Sequence, residues 1–148
     1  MEVKVEQFGL VFFYGITAFD DIRTKQIRTI ELIVFAVIGV IQNIFSKSQS
    51  LLSIIGGVGI GAVFVIFSIL SKEKLGMGDA LIIAVTGIYL GLMDTVVRVW
   101  LSTIFAAAYG LIKLRKCDNK DLEMPFVPFM LLAYTFMLLI HHIGGLIV

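Results

Sequence analysis

Charge, sulfur and histidine are scarce in this sequence, and each shortage excludes something. Only 16% of its 148 residues are Asp, Glu, Lys or Arg, against about 25% in an average soluble domain. The single cysteine, Cys117, permits no internal disulfide, and no Cys-x-x-Cys metal or redox spacing exists. Two histidines stand side by side at His141 and His142 and read as interfacial residues, not as metal ligands. The net charge of +1 points to no partner, and aromatic residues are not interleaved with basic ones, which excludes a nucleic-acid surface. Residues 1–7 are mixed in charge and no small-residue cleavage site follows, so the first apolar run reads as a retained helix and not as a cleaved signal.

Apolar residues fill the gap. They make up 59% of the chain, with a mean hydropathy of +1.01. Small domains have the least interior per unit surface, so a soluble fold of this length could not hide that much apolar area. Lipid must be the solvent for most of it. Six apolar segments can be traced, over residues 7–19, 29–46, 51–71, 79–93, 95–112 and 125–147. A membrane span needs about 20 apolar residues. The second, third and sixth segments meet that, whereas the first and fourth are short and each abuts a charged site. The fifth depends on the position of Arg98. The predicted fold is an all-α integral membrane bundle of about six transmembrane helices, in a single domain over 1–148.

Basic residues orient the bundle. The connections after segments one, three and five carry Arg23, Lys25, Arg28, Lys72, Lys74, Lys113, Arg115, Lys116 and Lys120; the opposite side carries Lys4, Lys47 and Arg98. Basic loops stay cytoplasmic, so both termini are expected outside the cell membrane. Asp20, Asp21 and Asp79 then fall at one depth, on the cytoplasmic face.

Three motifs carry the candidate chemistry. In Leu75-Gly76-Met77-Gly78-Asp79 the glycines free the backbone and admit a close neighbour, while Asp79 is placed to cap a helix start. No strand precedes this motif and no third glycine follows, which excludes a dinucleotide loop. In Asp20-Asp21-Ile22-Arg23 two carboxylates close an apolar segment. Pro125-Phe126-Val127-Pro128-Phe129 opens the last segment, with Pro125 suited to a first helical turn and Pro128 expected to loosen the backbone one turn further in. Two carboxylates close enough to share a proton cannot both ionise, so one acts as base toward water and the other as acid toward a scissile carbonyl. This chemistry needs no metal or cofactor.

Together the motifs resemble type IV prepilin peptidases. Asp21-Ile22-Arg23 with Ile27 is similar to their Asp-Leu-Arg-x-x-x-Ile-Pro-Asn motif, although Ile27 is followed here by Arg28 and Thr29. Gly76, Gly78 and Asp79 match Gly-x-Gly-Asp, and residues 125–129 match Pro-Phe-x-Pro-Phe. The resemblance implies Asp21 and Asp79 as the catalytic pair, with Gly76, Gly78, Arg23, Pro125, Phe126 and Pro128 in support. It implies cleavage of a prepilin-like membrane substrate at the cytoplasmic face, and an indirect link to pilus or secretion assembly. Without the cysteine-paired N-terminal extension of the larger members in this sequence, the resemblance is to a minimal, peptidase-only form, and no methylation activity is expected. The presenilin-like proteases also carry Gly-x-Gly-Asp but are disfavoured by the short chain and by the Ile-Arg after the first aspartate. A non-catalytic subunit or a small transporter, with Asp79 as an intramembrane carboxylate, is the alternative from another class.

Overall fold

A computed structural model describes residues 5–24, 27–47, 49–70, 76–116 and 126–147. They form five helices: α1 (Val5–Thr24), α2 (Thr29–Ser46), α3 (Leu51–Leu70), α4 (Met77–Lys116) and α5 (Val127–Ile147). No strand occurs among the described residues. Helices are the economical answer for such a sequence, because every backbone polar group in lipid must be satisfied within its own segment. α2, α3 and the Met77–Lys113 stretch of α4 are long and apolar enough to cross a membrane, and α5 has a shorter apolar run over Val127–His141. The chain is a membrane protein. Its surface agrees, with Phe12, Ile30, Phe45, Leu52, Leu70 and Trp100 among many large apolar side chains pointing outward.

Where six separate segments are expected, the fourth and fifth are two helices parted by non-helical backbone at Gly91, with φ 73° and ψ −170°, three residues before the break expected beside Asp94. Such backbone is essentially open to glycine alone. The amide of Leu92, which the kink frees, donates to Ser53 Oγ on α3 at 3.1 Å, so that donor is not orphaned. α4 is therefore two helical arms, 77–90 and 92–116. Arg98, read above as an outer-side cation, lies inside the second arm. Its guanidinium pairs with Asp94 at 3.6 Å and sits 5.0 Å from the Tyr134 ring centre. It is buried and belongs to no loop.

Small residues set the packing of α3 on the first arm. A Cβ added at Gly57 would come 2.8 Å from Gly87 Cα, and one at Gly61 would overlap Ala84. The two backbones touch, as close helix packing in membranes requires. α2 is tied to the same arm by two hydrogen bonds: Tyr89 Oη donates to the Phe35 carbonyl at 2.8 Å, and Asn43 Nδ2 to the Ile88 carbonyl at 2.7 Å. The core joins Leu10, Phe13 and Tyr14 of α1 to Leu32 and Phe35 of α2, Ile82, Ile83 and Tyr89 of α4, and Val127, Met130 and Tyr134 of α5.

Candidate active site

Helix α1 does not stop at Phe19, where its apolar stretch ends; it continues to Thr24 and carries both adjacent acids in its final turns. Being consecutive, Asp20 and Asp21 project about 100° apart around the helix. Their fates differ accordingly. Asp20 turns toward the start of α2, where it pairs with Arg28 at 3.4 Å and shares a hydrogen bond with Glu31. Asp21 turns into the bundle and is buried at 7% exposure. Its Oδ2 accepts the backbone amide of Val127 at 3.2 Å.

That amide is the first of α5, and the opening turn of a helix has no internal partners for its N–H groups. Asp21 thus caps a helix 106 residues away, where the positive end of the dipole favours its charge. Burial pushes the Asp21 carboxyl up from its ordinary value, and the Val127 bond opposes that push.

Asp79 is the third residue of α4, an acid in the first helical turn. It does not cap its own helix by a side-chain bond; its carboxylate folds back over Gly76. A Cβ at Gly76 would lie 2.8 Å from Asp79 Oδ2, and one at Gly78 would lie 2.7 Å from Ile27 Cδ1. The two glycines of the motif therefore provide room, one for the aspartate and one for the residue that leads into α2. Neither has positive φ, so the expected conformational freedom is not in use. Asp21 and Asp79 stand within electrostatic reach of each other. Two acids 58 positions apart in sequence thus lie toward the same end of the bundle, Asp21 beside the start of α5.

The supporting residues divide. Phe126 precedes α5 and its carbonyl accepts the amides of Phe129 and Met130 at 3.0 and 3.3 Å. Pro128 is the second residue of α5, inside the first turn, where it forfeits no hydrogen bond and loosens nothing. Helix α5 starts two residues after Pro125, which lies outside the described residues, as do Leu75 and Cys117. Arg23 is exposed in the last turn of α1, away from the buried face that carries Asp21. Three participants were missed: Glu31 beside Asp20, the Val127 amide, and a buried hydrogen bond between Tyr14 and Thr86 at 2.6 Å. Among the described residues, no group of three or more His, Cys, Asp or Glu side chains is placed to hold a metal ion.

The fold and its acids define a polytopic helical membrane protein with two carboxyl groups at the same end of the bundle, within electrostatic reach of each other. The chain belongs to the type IV leader peptidase family, whose model matches residues 8–111. The matched region contains Asp21, Gly76, Gly78 and Asp79 and ends before residues 125–128. Comparison with curated proteins and with solved structures gave no match.

Proposed function

We propose that the chain is an aspartic-type endopeptidase that removes the leader peptide of prepilin-like membrane proteins at the cytoplasmic face. Family membership supports peptidase activity. The observation that supports the aspartic reading is that Asp21 and Asp79 lie toward the same end of the bundle, within electrostatic reach of each other.

Roles follow from their surroundings. Asp21 accepts the Val127 amide, and hydrogen bonds to a carboxylate favour its charged form. It is the base that takes a proton from the attacking water. Asp79 is the acid. It gives its proton to the carbonyl oxygen as the hydroxyl adds to the carbonyl carbon; the resulting gem-diol then collapses with C–N cleavage as Asp21 returns a proton to the leaving amine and Asp79 takes a proton back from a diol hydroxyl, leaving the carboxylic acid product. The distribution of basic residues supports a position of this site at the cytoplasmic interface. There the bond between a basic leader and a membrane-inserted apolar helix would lie.

The test is cleavage by the purified protein in lipid of two substrates, a prepilin and a type II membrane helix without a leader. Leader release that stops in Asp21→Asn and in Asp79→Asn, with no cut in the second substrate, is expected. Prepilin maturation at a normal rate in both variants would leave a non-catalytic subunit or transporter as the better account.

A further inference from the structure

Tyr14 and Thr86 do not touch the acids, yet they are placed as though measured from them. Tyr14 is seven residues before Asp21 on α1, and Thr86 is seven residues after Asp79 on α4. Seven residues are close to two helical turns, so each partner lies on the same helix face as its aspartate, about 10 Å along the axis. The offsets have opposite sense because α1 and the first arm of α4 run antiparallel. If Tyr14 meets Thr86, Asp21 must come level with Asp79.

They do meet, at 2.6 Å, with both side chains fully buried. Thr86 Oγ1 already donates its single proton to the Ile82 carbonyl at 2.8 Å, so the Tyr14 hydroxyl is the donor. Rings brace the tyrosine: Phe13 and Tyr134 lie 5.6 Å away, centre to centre. α1 packs chiefly on α5, and the length of a tyrosine spans the remaining gap to α4.

The geometry points to Tyr14 and Thr86 as positioning residues whose hydrogen bond fixes the register of α1 against α4 and so holds Asp21 opposite Asp79. This rests on the reading of the two aspartates as the catalytic pair. A slip or rotation of either helix would break this bond and part the acids together. The core stays filled when the hydroxyl alone is removed, because phenylalanine keeps the ring. Thr86→Val is the harsher change, since it orphans the buried tyrosine hydroxyl.

The experiment uses the full chain in lipid with Cys117→Ser, and reads register without catalysis. Cysteines replace Asp21 and Asp79, and the rate of bridging by a short bifunctional thiol reagent is measured. A buried hydrogen bond is worth a factor of about five in such an equilibrium. Tyr14→Phe should slow bridging about fivefold, while Thr86→Ser, which keeps the hydroxyl, should retain the parent rate. With both aspartates restored, Tyr14→Phe should lower kcat on a prepilin by at least that factor and leave KM unchanged. Equal bridging rates with Tyr14 and Phe at this position, or no bridging in either, would overturn the clamp. If Asp21→Asn and Asp79→Asn still cleave while Tyr14→Phe slows bridging, the peptidase reading falls and the clamp stands.

Discussion

Replacing Gly91 by alanine strikes the point on which the shape of α4 depends. At φ 73° and ψ −170° a side chain costs about 1–3 kcal/mol in backbone strain alone. The new methyl group would also overlap Ser53 Oγ. Relief requires that Ser53 rotate away, which removes its bond to the Leu92 amide and leaves that partly buried donor unpaired, at about 1–3 kcal/mol. The two effects together predict a loss of about 2–6 kcal/mol. Ser53→Ala should cost only the second part. In the double variant the overlap with Oγ is gone and the amide is already orphaned, so adding Gly91→Ala should cost the strain and the shift of Gln49 Oε1, 2.8 Å from the new methyl, alone. Unfolding in mixed micelles by titration with sodium dodecyl sulfate measures all four proteins on one scale. A Gly91→Ala loss below about 0.5 kcal/mol, the usual scatter of neutral substitutions, would refute the kink as a strained element held by Ser53.

Other outcomes follow from the site. Asp21→Asn should keep the cap on α5, because an amide oxygen can accept the Val127 proton, whereas Asp21→Ala should cost about 1–3 kcal/mol by orphaning it; the same micellar titration separates them. Burial raises the folded-state pKa of Asp21, so the folded protein holds its proton more tightly than the unfolded chain. The cost of the buried charge is then absent at low pH and grows as pH rises from the ordinary carboxylate range through the folded value. Asp21→Asn should gain on the parent across that window, and a constant difference would contradict it. Gly76→Ala puts a methyl 2.8 Å from Asp79 Oδ2. A shift of that carboxylate by about 1 Å predicts roughly 100-fold lower kcat, with the fold intact by circular dichroism. For orientation, Arg23 and Lys47 are exposed at opposite ends of the bundle. With Cys117 replaced, a cysteine at 23 should react with an impermeant thiol reagent only from the cytoplasm, and one at 47 only from outside.

Much of this was legible because lipid imposes simple rules on sequence. α2 and α3 fall within a residue of the apolar runs that mark them. The acids too are readable, since charge is so scarce that each carboxylate at a helix end stands out. The misreadings share a cause, which is tertiary contact over long range. Asp94 looks like a connection and Arg98 like an outer-side cation, but they pair with each other one helical turn apart while Tyr134, from another helix, covers the cation. Gly91 looks like any helical glycine until Ser53 arrives from another helix to take the freed amide. Asp79 looks like a cap for its own helix. The acid that caps is Asp21, and the helix it caps begins at Val127. Of the features missed, only the seven-residue offsets of Tyr14 and Thr86 from the aspartates had a trace in the sequence. That trace becomes readable only once the two helices are known to be antiparallel neighbours.

The central claim is that Asp21 and Asp79 work as one catalytic unit. Its most direct test is the rate of leader release by Asp21→Asn, Asp79→Asn and the double variant, each purified in lipid and verified as folded. Residues that act as a unit are grossly non-additive. Each single variant should abolish cleavage, and the double variant should be no worse than either. Normal cleavage by either single variant, or losses that multiply in the double, would contradict the pair.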